Sequence, residues 1–333
     1  MILVIGATGY IGRYFCVEMT KRGEDILALG RSKEALSFLD SKGVKTQYFD
    51  LNDESSFKSL PKEGVEAIID LSACLAELET PVERFFEVNT IGAYRVLEYA
   101  RTYGIKKVVL TSSHKVYNDL EKQNNIAETD GVSFTGDHSP YIISKIAAEY
   151  FVEYYNKDFD MDAVALRLTG VHGYGEVLGH LEEDGSYEKS TFEIFFEKIL
   201  KGEAIEVWGD QTIKRDHIYI KDVVSALLAA VRSSDAKGVY NIATSKPYSQ
   251  LEEAEALIDV FSGKKRSKIV KRPEMAGLKR GYSYCIDKAK RDLHWSPEYT
   301  DLRVLYSDYK KEWEKKEYRN YHFFKPGQEP ATL

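Results

Sequence analysis

Tyr141 and Lys145 stand four residues apart in the stretch "SPYIISK", a spacing that on a helix puts both side chains on one face. A free tyrosine, with a pKa of about 10, is a poor base near neutrality, but a nearby ammonium stabilises the phenolate and lowers that value. The pair therefore reads as a general acid/base, Tyr141 moving the proton and Lys145 tuning it. Ser113, in "TSSHKVY" after an apolar run at Val108 to Thr111, is placed to hydrogen-bond the same reacting hydroxyl. Tyr-x-x-x-Lys recurs by chance, and its weight comes from this position after a strand and beside a serine. The other reading is a surface tyrosine and lysine on an ordinary helix.

A second chemical signal opens the chain. In "MILVIGATGYIG" the glycines Gly6, Gly9 and Gly12 follow an apolar strand and begin a helix, with Thr8, Tyr10 and Ile11 among them. Backbone without side chains can turn tightly against a pyrophosphate, and the free N–H groups and dipole of the helix start favour its charge. The spacing is Gly-x-x-Gly-x-x-Gly, not the Gly-x-Gly-x-x-Gly of many dehydrogenases, and a bare strand-to-helix turn is the alternative. The second strand, "DILALGRSKEAL", ends on Gly30 where NAD sites carry an acid, with Arg31 next. Absence of a carboxylate and presence of a guanidinium favour NADP over NAD. Arg31 stacking on adenine, or standing in solvent, remains open.

The elements that must position these groups are legible as alternating apolar runs and helical periods. Strands are expected at Ile2 to Ile5, Ile26 to Leu29, Gln47 to Phe49, Ala67 to Leu71, Val108 to Thr111 and Ala163 to Leu168. Helices are expected at Ile11 to Arg22, Lys33 to Ser41, Arg84 to Tyr103 and Tyr141 to Asn156. That alternation predicts an α/β fold with a doubly wound parallel sheet and a smaller, mostly helical C-terminal substrate domain. Residues 1–168 with 210–245 form the expected dinucleotide-binding domain, and 169–209 with 246–333 the substrate domain. A strand at Ile218 to Ile220 and a helix at Val223 to Val231 are expected to return to the main sheet. Gly173 to Ser190, polar and glycine-containing, reads as a flap over a ligand or as a plain surface loop. The tail with Pro326 and Pro330 is expected to be poorly ordered.

Composition narrows the classes. The chain has 333 residues, 46 Lys+Arg against 53 Asp+Glu and a net charge of -7, which gives no basic excess for nucleic acid. Cys16, Cys74 and Cys285 form no Cys-x-x-Cys pair, so neither a disulfide framework nor a zinc knuckle is expected, and a reducing, cytoplasmic setting fits. No export signal is read at the start, and no apolar run reaches about 18 residues, so no membrane span is expected. His172, His180 and His217 lack metal-ligand spacing and read as ordinary polar residues.

Taken together the motifs resemble the extended short-chain dehydrogenase/reductases, the nucleotide-sugar epimerase/dehydratase family, along nearly the whole chain. "GATGYIG" has that family's glycine spacing, and "FDL" at Phe49 to Leu51 resembles its adenine-contacting strand end, so Asp50 and Leu51 are expected beside the cofactor. "DLSA" resembles its fourth-strand signature and implies that Leu71, Ser72 and Ala73 line the same groove. "EVNTIGAYRVLEYA" carries Asn89 where the family has a supporting asparagine. "SSHKVY" puts Ser113 at its catalytic-serine position, and "WGDQTIKRDHIYIKDVVSA" puts Arg215 where an arginine clamps the sugar nucleotide's diphosphate. The resemblance also implies a homodimer through a four-helix bundle, and the helices Arg84 to Tyr103 and Tyr141 to Asn156 are apolar on more than one face, as that requires.

Departures from the family pattern bear on the reaction. Ser113-His114-Lys115 occupies the place of the dehydratases' Thr-Asp-Glu, so the acid pair that eliminates water is missing. Gly170 stands where many members have an asparagine on the diphosphate, and Lys115 and Asn118 replace the more usual small residue and glycine. Lys115 would meet a carboxylate-bearing sugar or be solvated. Three functions follow: a nucleotide-sugar epimerase working through a transient ketone with bound NAD(P), an NADPH-dependent keto-sugar-nucleotide reductase, and a non-catalytic dinucleotide sensor on the same fold.

Overall fold

A computed structural model describes residues 1–75, 80–118, 120–132, 138–175, 179–181 and 187–318. Strands β1 (Ile2–Ile5), β2 (Ile26–Gly30), β3 (Lys45–Tyr48), β4 (Ala67–Asp70), β5 (Lys107–Ser113) and β6 (Asp162–Leu168) fall within two residues of their expected starts and ends. Helices α1 (Tyr10–Lys21), α2 (Lys33–Ser41), the short α3 (Glu54–Lys58), α4 (Val82–Phe85), α5 (Gly92–Thr102) and α6 (Pro140–Phe159) connect them. Between α4 and α5 the chain makes a π-helical stretch at Phe86–Ile91, so the single helix expected over Arg84 to Tyr103 is locally widened around Asn89.

Further along come β7 (Gly170–His172), β8 (His180–Leu181), β9 (Tyr187–Glu188), α7 (Thr191–Lys201), β10 (Ile205–Trp208), β11 (His217–Tyr219), α8 (Ile220–Arg232), β12 (Gly238–Ile242), α9 (Gln250–Phe261), β13 (Ile269–Arg272), α10 (Asp287–Asp292) and α11 (Leu302–Lys315). Seven strands make one sheet in the order β12-β6-β5-β4-β1-β2-β3, all neighbours parallel. The order reverses beside β1, which opens a crevice at the carboxyl ends of β1 and β4, the place where such sheets hold ligands.

One expectation fails. The strand at His217–Tyr219 does not join the main sheet but pairs with β7, and β12 closes the sheet against β6 instead. A three-residue run carries too little pattern to choose its partner, whereas Gly238–Ile242 can match five residues of β6 in register. The helix that follows β11 behaves as expected, packing on α1 and β5. Of the proposed flap, residues 176–178 and 182–186 lie outside the described residues, as does the tail with Pro326 and Pro330.

Apart from its edge strand β3, the sheet is buried on both faces, as its near-continuous apolar strands require. Alternate residues of β1 go opposite ways: Ile2 and Val4 join a core with α1 and α8, Leu3 and Ile5 one with α5 and α6. Helix α6 starts where Ser139 caps it, its hydroxyl accepting from the Ile142 N–H at 3.4 Å, and Pro140 sits at the first helical position. It ends at Asp160 in the left-handed region, φ 51°. Those two stops place Tyr141 and Lys145 in the first turns of a helix that runs against β5 and β6.

Candidate active site

The glycine turn is a cradle. Gly6 has φ 74°, and a Cβ there would lie 2.7 Å from the Ser72 nitrogen and 2.8 Å from the Leu71 carbonyl carbon. The end of β1 and the end of β4 therefore touch backbone to backbone, which fits Leu71 and Ser72 lining one groove. Helix α1 begins at Tyr10 with Gly9 as its cap, without a side-chain cap and without an acid in its first turn. A helix start of this kind, without a competing acid or side-chain cap, suits the charge of a pyrophosphate. The ring of Tyr10 stacks edge-on with Tyr14, Ile11 packs on the core, and the Thr8 side chain lies on Gly30.

At the adenosine end, a Cβ on Gly30 would fall 2.5 Å from the Thr8 methyl. That contact explains why β2 ends without a side chain. Arg31 is exposed, one residue before Ser32, which caps α2 by accepting from the Ala35 N–H at 3.2 Å. Asp50 is half-buried and accepts from the Asn52 N–H at 3.0 Å, shaping its own turn. Leu51 is buried against Gly92, and its carbonyl accepts from Arg95 at 3.3 Å. Ala73 is exposed beyond β4.

From this groove a run of buried contacts leads to Tyr141. The Asn89 amide accepts from the Cys74 N–H at 2.8 Å, donates to the Cys74 carbonyl at 3.1 Å and donates to the Ser144 hydroxyl at 2.9 Å. Thr90 adds a bond from its hydroxyl to the Ser144 carbonyl at 3.0 Å. The π-helical turn thus clamps the loop after β4 to the residue before Lys145. Lys145 itself is 4% exposed, and its ammonium donates to the Thr111 carbonyl at 2.9 Å. Burial pushes it down to about 8, with Asp70, Glu149 and the Cys74 thiol pulling the other way.

Ser113 ends β5, where its hydroxyl accepts from the Lys115 N–H at 3.2 Å and lies within hydrogen-bonding reach of the Tyr141 phenol. Contrary to the expectation from spacing, the Tyr141 phenol is raised rather than lowered. Burial outweighs the Ser113 hydrogen bond, and the Lys145 ammonium is turned to Thr111. The cation over the Tyr141 ring is Lys115, whose Nζ is 5.9 Å from the ring centroid.

Sequence reasoning missed the group that braces this side. Glu149, one turn beyond Lys145, is held by Arg167 through Nε to Oε1 at 2.9 Å and Nη2 to Oε2 at 2.6 Å, and by the Ser112 hydroxyl at 2.6 Å. Arg167 also donates to the Tyr117 hydroxyl at 2.5 Å, which donates to the Asn241 amide oxygen at 2.8 Å. One buried network therefore joins β5, α6, β6 and β12 behind Ser113 and Lys145. The signal in the sequence was the i, i+4, i+8 series Tyr141, Lys145, Glu149.

On the opposite side Arg215 donates from Nε to the Arg280 carbonyl at 3.0 Å, and its guanidinium lies 5.5 Å over the Tyr282 ring. Its backbone is held between Tyr248 and Tyr282. His114 is bonded to the Tyr284 hydroxyl at 2.8 Å and is pushed down to about 3 by burial, with the charges of Lys115 and Arg215 adding to it. His217 fills the place beside Gly170, where a Cβ would meet its Cδ2 at 2.6 Å, so a side chain at 170 is excluded by the neighbouring strand. His172 and His217 approach to 4.8 Å between rings, yet among the described residues no group of three metal-ligating side chains is assembled.

Residues 2–243 match the NAD dependent epimerase/dehydratase family. The chain belongs to that family. Among curated relatives, a putative UDP-glucose 4-epimerase of Methanocaldococcus jannaschii is 28% identical over 302 residues, 90% of this chain and 93% of that protein. An epimerase of Methanothermobacter thermautotrophicus has the same fold with a TM-score of 0.74 at 24% identity, covering 94% of this chain and 93% of that one. A UDP-glucose 4-epimerase of Thermus thermophilus, solved in complex with NAD, gives 0.69 at 24% identity over 93% and 98% of the two chains. Members of the epimerase/dehydratase family are NAD-dependent enzymes, and this chain is an enzyme of that family. Among the described residues no helix is long and apolar enough to cross a membrane.

Proposed function

We propose that the protein is a nucleotide-sugar epimerase that works through a transient ketone with a tightly held dinucleotide. The observation that carries this reading is the convergence of Ser113, Tyr141 and Lys145 beside the cradle at Gly6 and the end of β4, with His114 and Lys115 where an acid pair for dehydration would stand. When bound, the coenzyme supplies a hydride acceptor that is also the later donor. Tyr141 takes the proton of the sugar hydroxyl as the carbinol is oxidised, and returns it once the keto sugar has presented its other face. Ser113 orients that hydroxyl, Lys145 holds the coenzyme ribose, and Arg215 anchors the diphosphate while the sugar turns. Thr8, Gly9, Tyr10, Ile11 and Gly12 bring the helix start to the pyrophosphate; Asp50 and Leu51 border the adenine, and Leu71, Ser72, Ala73 and Asn89 shape the groove wall.

Arg31 beside a side-chain-free Gly30 supports NADP over NAD, and on that ground a second reading stands: reduction of a keto-sugar nucleotide by NADPH. Purified protein incubated with a panel of UDP-, GDP-, dTDP- and CDP-sugars separates the two. Epimerisation leaves the bound dinucleotide unconsumed and gives an NMR-distinct isomer; stoichiometric NADPH oxidation with a ketone substrate overturns it in favour of the reductase. The helices α5 and α6, with the end of the π-helical stretch before α5, leave Ile91, Tyr94, Ile143, Tyr150 and Tyr154 exposed, Tyr150 by 61%, which supports a homodimer packed through these helices. A mass in solution near that of one 38.0 kDa chain would refute the dimer.

A further inference from the structure

The cleft carries one positive charge more than a diphosphate needs, and it stands at the wrong end to serve one. Lys115 is exposed, reaches over the Tyr141 ring, and has no carboxylate partner among the described residues. It is not a loosely placed surface lysine at its root: its backbone N–H is bonded to the Ser113 hydroxyl, within a 3₁₀ turn at His114–Tyr117. The ammonium is therefore indexed to the same serine and tyrosine that would meet the reacting carbinol.

Arg215 stands at the other end, fixed through Arg280 and Tyr282. His114 lies between the two cations, and no acid is among the groups acting on it, only burial, Lys115 and Arg215. Asp216, next to Arg215, directs its carboxylate to the N–H groups of Thr244 at 3.0 Å and Ser245 at 2.9 Å, away from any cation. Glu253, farther along the same side, is pushed up to about 7 by burial and is bonded to the Tyr306 hydroxyl at 2.7 Å, so it offers little negative charge below that pH. Among the described residues neither Lys115 nor Arg215 is paired with a carboxylate. An apolar or small polar residue at 115 would serve a neutral sugar without this field.

Resting on the epimerase reading, we propose that the substrate is a nucleotide sugar whose ring bears a carboxylate, and that Lys115 receives this carboxylate beside Tyr141 while Arg215 holds the diphosphate. The ring carbon to be oxidised must lie at Tyr141, and the Lys115 ammonium, 5.9 Å from that ring's centroid, is within reach of a carboxylate on a neighbouring ring carbon. The ammonium then has a specificity-determining role: it adds a charge-assisted hydrogen bond for the acidic sugar and leaves an uncompensated cation against the neutral one.

The test compares matched pairs on the intact protein with its coenzyme: UDP-glucuronate with UDP-glucose, and GDP-mannuronate with GDP-mannose. In each pair kcat/KM is expected to favour the uronate. Lys115→Met should lower the uronate-to-hexose ratio about 10-fold, as loss of a charge-assisted bond at a partly solvated position does. Lys115→Arg should keep most of it, and added salt should erode it in the parent but not in Lys115→Met. A ratio unmoved by Lys115→Met overturns the proposal. So does an equal loss on both sugars with a displaced pH profile, which would make Lys115 a tuner of Tyr141. Turnover of neither member of any pair, with no isomer formed from any other nucleotide sugar, overturns the epimerase reading itself; turnover of hexoses alone overturns only the role given to Lys115.

Discussion

Behind Lys145 every charged group has a named partner: Glu149 is held by Arg167 and Ser112, Arg167 by Glu149 and Tyr117, and the chain of bonds continues to Asn241. Across the cleft Arg215 is held only through a carbonyl and a ring, and Lys115 has no acid partner among the described residues. The first wall is satisfied within the protein, whereas in the second neither cation is paired with a carboxylate among the described residues. Buried ions must be compensated inside the protein because desolvation is costly, whereas cations left half-wet at a cleft can wait for a charged substrate. The contrast separates what must be rigid for proton transfer from what must discriminate among substrates.

Removing the phenol tests whether the first wall exists for chemistry. Tyr141→Phe should lower kcat by about 10³-fold while substrate affinity changes little, the size expected for loss of a general acid/base. A steady-state assay with retained activity would detach α6 from the reaction. Breaking the compensation is the next largest effect. Arg167→Met leaves Glu149 buried beside Ser112 without its cation and should cost about 3–5 kcal/mol in urea unfolding, most of it recovered when Glu149→Gln is added. If the single and double variants unfold alike, the pair is not acting as a unit.

A smaller effect marks the other wall. Glu253 has a folded pKa of about 7 against an ordinary value of 4.5, so its contribution is fully present below about pH 4 and is lost as pH rises through 7. Glu253→Gln should therefore abolish a loss of up to about 3 kcal/mol between about pH 4.5 and about pH 8, read from unfolding curves at the two values. The same melts on both proteins with parallel pH dependence would remove Glu253 as the titrating group. The smallest effect is at the far end of the cradle: if Arg31 receives a 2′-phosphate, Arg31→Ala should lower NADP affinity relative to NAD by about 10-fold, seen as a ratio of dissociation constants.

Six strands of the sheet were readable because most of them are apolar runs between turn residues, whereas β12 was not anticipated, and Lys33–Ser41 matched to the residue because Ser32 marks its start. Partner choice was not readable for His217–Tyr219, since a three-residue strand carries no register of its own. The glycine turn, Ser113, Tyr141 and Lys145 came from local spacing and lie along one connected stretch of the fold. What spacing cannot encode is which face a distant side chain reaches. Arg167 sits 18 positions beyond Glu149, and only the pairing of β6 with β5 brings it under α6. Nor does sequence announce where an ammonium will turn: Lys145 was expected to act on Tyr141, and its ammonium donates to the Thr111 carbonyl.

The contact between Thr8 and Gly30 reaches beyond coenzyme geometry. Because the threonine methyl occupies the volume an acidic side chain would need, installing an acid at this strand end is not a single exchange. An aspartate at position 30 requires a smaller residue at position 8 at the same time, so any drift toward an acid here passes through a coupled double step, with the intermediate penalised by collision rather than by charge.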